Sequence, residues 1–217
     1  MTRTVLCFGD SNTHGTPPAT ALDAPSARYD RSLRWPTLMA GHLGAAAWHV
    51  IEEGHPGRST VHDDPIEGAH RNGLTVLPSM LESHKPIDVI ILMLGTNDLK
   101  GRFSVNPTDI ALSLERLIGV IRNFACGPDG KNPAILLVAP PPILEAGCLA
   151  EMFEGGQAKS QGLAKAIAAA AARANVSFLD AGLHIAVSPI DGIHYDEAAH
   201  TTLALVFARA LSEHFPT

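Results

Sequence analysis

The stretch "IDVIILML", residues 87–94, constrains the fold of this chain more than any other. Apart from Asp88 every residue in it is apolar, and Gly95 closes it. A strand with one face in water alternates apolar and polar residues, whereas a strand covered on both faces reads as a continuous apolar run. Residues 87–94 therefore predict the central strand of a parallel sheet with helices packed on both sides.

The rest of the chain supplies the parts such a sheet requires. Further strands are expected over residues 5–8, 48–52, 134–139 and 176–179, the one over 134–139 halted by Pro140, Pro141 and Pro142. A helix is expected over 35–43, with Pro36 in its first turn and Gly44 at its end, and another over 74–84. The helix over 107–124 has Asn106 as N-cap and Pro107 as first residue, and Ile110, Leu114, Leu117, Ile118 and Ile121 recur at helical spacing. An alanine-rich helix over 158–175 and a terminal helix over 196–215 complete the set. Residues 13–32, with Pro17, Pro18 and Pro25, are too long for a tight connection and read as a functional or interface loop. Strands alternate with helices, which predicts a three-layer α/β/α architecture with a mainly parallel five-stranded sheet. No repeat or linker interrupts residues 1–217, so a single domain is expected.

Several function classes are disfavoured by composition. The formal net charge is −6 and no basic run occurs, so neither nucleic acid nor an anionic membrane surface is an expected partner. No segment approaches the 18 or so apolar residues that a membrane helix needs, and the apolar stretch near Met1 is too short for a secretory leader. Cys7, Cys126 and Cys148 are odd in number and lack C-x-x-C spacing, which points to free thiols and a cytoplasmic location. Eleven histidines raise the question of a metal, but no HExxH, HxH or paired Cys/His spacing appears. His14, His55, His62, His70, His84 and His200 read as loop or helix-surface residues, with His14 and His55 also placed to line a pocket. No dinucleotide fingerprint or P-loop is present, and no cofactor or metal is expected.

Ligands of open parallel sheets bind at the carboxyl ends of the strands. Four polar stretches follow strands or precede the last helix: Gly9-Asp10-Ser11-Asn12, Gly54-His55-Pro56-Gly57, Gly95-Thr96-Asn97-Asp98 and Asp191-Gly192-Ile193-His194. Each alone has the composition of a turn. Jointly they hold what acyl transfer needs. A serine hydroxyl is a weak nucleophile that requires a base in contact, and a histidine can take the proton and return it to the leaving group. Asp191, three residues before His194, can bond the second ring nitrogen, and Asp180 is its rival. Asp10 and Asp98 read as acceptors that hold turns.

These four blocks resemble the SGNH hydrolases, also called GDSL esterases and lipases, named after one Ser, Gly, Asn and His from four blocks. The resemblance spans about residues 5–200, and "VIEEG", "IDVIILMLGTNDLK", "FEGG" and "DGIHYDEA" are similar to the bacterial arylesterase/acyltransferase branch. It implies a flavodoxin-like sheet, with Ser11 as nucleophile, His194 as base and Asp191 as orienting acid. It also implies oxyanion donors from the Ser11 N–H, the Gly57 N–H and the Asn97 amide, with Gly54 the alternative to Gly57. The first block departs from the common GDSL form, since Asn12 stands where leucine is usual. Small aryl or short-chain acyl esters are the implied substrates, with acyl transfer to alcohols as a variant. The alternatives are a carbohydrate acetyl esterase, a thioesterase or lysophospholipase, or a catalytically silent binding protein on the same fold. The loop over 13–32 and residues 143–153 are expected to border the pocket and, as in that branch, to pack between subunits of a homo-oligomer.

Overall fold

In the computed structural model, which describes residues 2–25 and 27–215, the predicted central strand is β3, Val89–Met93, buried along its whole length. It pairs in parallel with β1 (Arg3–Gly9) on one side and β4 (Ala134–Ala139) on the other. The edges are β2 (Trp48–Gly54) and β5 (Ser177–Asp180), also parallel, giving the order β2-β1-β3-β4-β5. The two-residue period of a strand splits each apolar run between two cores. Leu6, Phe8, Ile90, Leu92 and Leu137 face one cluster, and Val5, Cys7, Ile91, Met93 and Val138 face the other. The first cluster lies under helices α3 (Gly73–His84), α4 (Pro107–Phe124) and α6 (Leu163–Ala174). The second lies under α2 (Trp35–Leu43) and α7 (Glu197–His214), which pack on each other. This is the three-layer α/β/α fold expected.

Local chemistry sets the helix starts. Asn106 accepts from the N–H groups of Thr108 and Asp109 while Asp109 accepts in return from the Asn106 N–H, a capping box that begins α4. Asp196 accepts from the Ala199 N–H and begins α7. Helix α2 has no such local cap; its Trp35 N–H donates instead to His200 Nδ1 of α7, at 3.3 Å.

Three expectations are corrected. The alanine-rich helix over 158–175 is two helices, a short α5 (Gly156–Ser160) and α6, separated at Gln161 and Gly162. Ser160 Oγ donates to the Gln157 carbonyl and accepts from the Ile143 N–H, so the end of α5 is tied to the chain leaving β4. Glycine at 162 adds little to hold a continuous helix. The segment over 13–32 is not loop throughout: its start belongs to a one-turn helix, α1 (Ser11–His14), closed by Gly15, and a 3-10 turn spans Arg31–Leu33. His200 is not at a surface. It is fully buried in the core stripe of α7, with the rings of Tyr29 and Tyr195 at 5.4 and 5.9 Å. Burial, aided by the Arg34 charge and opposed by Asp196, lowers its pKa to about 4.

From β1 the chain runs outward to β2 and then returns to β3 on the other side of β1. Strand order reverses there, and a crevice opens at the carboxyl ends of β1 and β3.

Candidate active site

Strand β1 runs straight into Asp10, the N-cap of α1, whose carboxylate accepts from the Asn12 N–H at 2.9 Å. Asp10 is thus an acceptor that holds the turn. Burial raises its pKa to about 6, against the lowering effects of the Asn12 hydrogen bond and of the His194 and Arg58 charges. Ser11 is the first residue of α1 and is 4% exposed. As an opening residue of a helix it has no intrahelical acceptor for its N–H, and none is found elsewhere among the described residues.

The histidine loop is organised by a single carboxylate. Asp191 is fully buried. Its Oδ1 accepts from the Ile193 and His194 N–H groups, both at 3.0 Å. Its Oδ2 accepts from the Ala19 N–H at 2.7 Å and pairs with His194 Nδ1 at 2.6 Å. Burial alone would raise the Asp191 pKa, but the bonds from the His194 ring and backbone and from Ala19, with the ring's charge, hold it at about 2. A carboxylate kept ionised takes the proton on Nδ1 as its donor, which leaves Nε2 with a free lone pair. Asp180 caps the turn after β5 through the Gly182 N–H at 2.9 Å, so it is Asp191 that the fold brings to His194.

The second and third blocks are pinned to the strand ends. Buried Arg58 donates from Nη1 to the Gly9 carbonyl at 2.8 Å. Asn97 opens the 3-10 turn after β3, and its Nδ2 donates to the Arg58 carbonyl at 3.2 Å, which leaves its other amide hydrogen unused. Asp98, fully buried, accepts from the Thr60 N–H at 3.1 Å and from Thr60 Oγ1 at 2.5 Å. Gly54 and Gly57 separate clearly. Gly54 is the last residue of β2, and a Cβ there would lie 2.1 Å from the His14 nitrogen, so its role is close packing beneath α1. Gly57 has φ +74°, a conformation that favours glycine, and no acceptor for its N–H is found among the described residues.

Ser11, Gly57, Asn97 and His194 line one cavity of about 190 Å³. The chain matches the GDSL-like lipase/acylhydrolase family over residues 7–202. It belongs to that family. The fold and the chemistry of the four blocks agree with a hydrolase of the GDSL, or SGNH, class. Among solved structures, the native aryl esterase of M. smegmatis is 38% identical, covers 97% of this chain and 99% of its own, and superposes with a TM-score of 0.91. A carbohydrate acetylesterase from Sinorhizobium meliloti is 39% identical, with 98% and 100% coverage and a TM-score of 0.92. Comparison with curated proteins returned no match.

In this GDSL-family hydrolase Leu149, Met152, Phe153 and Ile193 form an apolar wall of the cavity, beside Thr16. The segment 143–153 and the loop over 13–32 therefore both reach it. His14 and His55 are not among its lining residues: His14 Nδ1 pairs with Thr16 Oγ1 at 3.0 Å, and His55 Nδ1 with Arg71 Nη1 at 3.2 Å. Two lining residues give no signal in the sequence. Glu67 and Lys100 form an ion pair at 2.5 Å, with Lys100 only 2% exposed and Arg102 bonded to the same Glu67 oxygen. Asp64, 3.6 Å from Lys100 and 3.1 Å from Arg102, completes the cluster. Met152 also borders an open groove of about 800 Å³, lined by Leu22, Arg102, Cys148 and Glu151. Among the described residues no cluster of His, Cys, Asp and Glu is arranged to hold a metal ion, and no helix is long and apolar enough to cross a membrane.

Proposed function

We propose that the hydrolase is a serine esterase acting on small aryl or short-chain acyl esters through an acyl-serine intermediate. The observation that carries this reading is the 2.6 Å bond from His194 Nδ1 to ionised Asp191, on a ring that shares a cavity with Ser11. Ser11 Oγ attacks the ester carbonyl as His194 Nε2 takes its proton. Asp191 stabilises the imidazolium and fixes its tautomer. The oxyanion receives hydrogen bonds from the Ser11 and Gly57 N–H groups and from the Asn97 amide, all of which have donor capacity to spare. His194 then protonates the departing alcohol, and the acyl group stays on Ser11. Water, deprotonated by His194, attacks the acyl-serine, and His194 gives that proton to Ser11 Oγ as the bond to the acyl group breaks, releasing the acid and the free serine. An alcohol taking the place of that water in an apolar cavity yields transesterification. Ser11 Oγ and His194 Nε2 are not hydrogen-bonded to each other in this structure, as is common for catalytic contacts that tighten on substrate binding.

The small cavity and its wall of Leu149, Met152, Phe153 and Ile193 favour a short acyl or single aryl group. A second reading, deacetylation of a carbohydrate, is favoured by the similarity to the S. meliloti acetylesterase. Homo-oligomerisation is part of the proposal, since Leu22, Leu144 and Ile190 expose apolar surface in segments near the cavity. Static light scattering is expected to return more than one protomer, and a monomer removes that part.

The test is treatment with a serine-directed organophosphonate, followed by intact mass, peptide mapping and a p-nitrophenyl acetate assay. A single adduct on Ser11 with parallel loss of hydrolysis is the expected result. Absence of both an adduct and ester hydrolysis would return the protein to the silent-binder reading. Comparing aryl acetates with sugar acetates then separates the two substrate classes.

A further inference from the structure

Asn12, which stands where the GDSL block usually has leucine, makes contacts that a leucine cannot make. Its side chain is buried and reaches the far end of the chain. Nδ2 donates to the Ile193 carbonyl at 3.1 Å, and Oδ1 accepts from the Tyr195 N–H at 3.1 Å. These two groups flank His194. A carbonyl and an N–H as partners also settle which end of the amide is nitrogen. The residue itself is held at both main-chain positions, through its N–H to Asp10 at 2.9 Å and through its carbonyl, which accepts from Trp35 Nε1 at 3.1 Å.

Where the backbone of the histidine loop finds its partners makes the role specific. Gly192 donates to the Ser188 carbonyl and accepts from the Leu144 N–H. The Ile193 and His194 N–H groups go to Asp191, and the His194 carbonyl accepts from the Ser188 N–H. The Tyr195 carbonyl accepts from the Tyr29 hydroxyl at 3.5 Å. Over residues 192–195 the groups left over are the Ile193 carbonyl and the Tyr195 N–H, and both go to Asn12. The other partners come from this loop, from Leu144, or from Ala19 and Tyr29 in the connection beyond the Ser11–His14 turn. Among the described residues, Asn12 alone hydrogen-bonds the histidine loop to the helical turn that carries the serine.

We infer that Asn12 is a positioning residue that sets the His194 ring against Ser11 by clamping the two peptide groups on either side of it. This rests on the proposed roles of Ser11 and His194. In-line proton transfer is sensitive to displacements of about 1 Å, for which losses of roughly 10²-fold are typical. A side chain adjacent to the nucleophile in sequence and bonded on both sides of the base holds the two together more directly than packing can.

The test compares the parent with Asn12→Leu and Asn12→Asp. Readouts are kcat and KM on p-nitrophenyl acetate, the rate of phosphonylation and Tm, across pH 5 to 9. Asn12→Leu is close in shape and removes both bonds. Its kcat per phosphonate-titrated site is expected to fall roughly 10- to 100-fold, and the phosphonylation rate with it, while KM changes by less than about 3-fold. In Asn12→Asp the ionised carboxylate opposes the Ile193 carbonyl, whereas the protonated acid can donate to it and still accept from Tyr195. The ratio of its kcat to that of the parent is therefore expected to rise as the pH falls. A purely structural role lowers Tm but moves neither kcat per titrated site nor that ratio. Parental kcat in both variants overturns the inference even if Tm drops. Should Asn12→Leu fail to fold, the pH dependence of Asn12→Asp decides, and a flat ratio overturns the inference. A parent that neither hydrolyses ester nor takes phosphonate is a different failure: it removes the serine-esterase reading and the clamp together.

Discussion

Two carboxylates in this molecule are fully buried and stand near a histidine, Asp191 beside His194 and Asp98 beside His62, yet they do different work. Asp191 touches its imidazole at 2.6 Å and receives three further N–H bonds, so its carboxyl is held ionised at about 2 despite burial. Asp98 lies 3.9 Å from His62 Nε2, and the donors at hydrogen-bonding distance come from Thr60. There burial prevails and the pKa is raised. His62 meanwhile stacks on Phe103 and is partly exposed. What separates the proposed dyad from a structural neighbour is the direct ring bond and enough backbone donors to keep the acid charged. Sequence proximity to a block does not do it: Asp98 is adjacent to Asn97, and its effect is to draw Thr60 onto the end of β3.

The contrast can be broken most forcefully at the acids. Asp191→Asn is expected to lower kcat on the order of 10³- to 10⁴-fold by removing the charge and the tautomer control, while Asp98→Asn changes kcat less than about 10-fold. Steady-state kinetics giving equal losses would erase the distinction. Asn97→Ala should be next, losing about 3 kcal/mol of transition-state stabilisation, or roughly 10²-fold in kcat, with circular dichroism unchanged. Wild-type kcat/KM would take Asn97 out of the oxyanion site.

The two acids also differ in the sign of their stability linkage. The folded pKa of Asp191 lies below the unfolded value of 3.8, so its contribution is present above that value and is lost as pH falls through about 2. The folded pKa of Asp98 lies above the unfolded value, so its contribution is complete at low pH and is lost as pH rises. Urea midpoints at pH 7, 5 and 3 should show the deficit of Asp191→Asn against the parent shrinking towards acid, and that of Asp98→Asn growing. Parallel trends would contradict the assignment. The smallest effect is expected for His62→Gln, with kcat within about 2-fold and stability within roughly 0.5 kcal/mol, as for other partly exposed positions. A loss comparable to that of Asn97→Ala would show that His62 acts on the reaction.

Much of the sheet was legible because its signals are local. The two-sided run ending at Gly95, the prolines after Ala139 and the Asn106–Pro107 start are each read within a few residues. Asp191 was legible from its spacing to His194, for the same reason: an acid three residues before a histidine can turn back onto the ring. The remainder depends on partners distant in sequence. Lys100 and Glu67 are 33 positions apart, and Ala19 reaches Asp191 across 172. At the split between α5 and α6, Ser160 accepts from the Ile143 N–H, 17 positions away. His200 misled for another reason. It occupies the same stripe of α7 as Leu203, Ala204 and Phe207, so its place in the core was periodic, but its residue type reads as polar surface. The different surroundings of Gly54 and Gly57 lie in backbone angles and close packing, which composition does not carry.

The clamp joins residues 181 and 183 positions apart. Synthesis is vectorial, at about 5–20 residues per second, so roughly 10–40 s separate the emergence of Ser11 from that of His194. On the proposed roles, the nascent chain throughout that interval bears the nucleophile without its base. On the proposed roles of Ser11 and His194, reactivity waits until α7 seals the second face and the histidine loop closes on Asn12, so the onset of ester cleavage would report that this fold has closed.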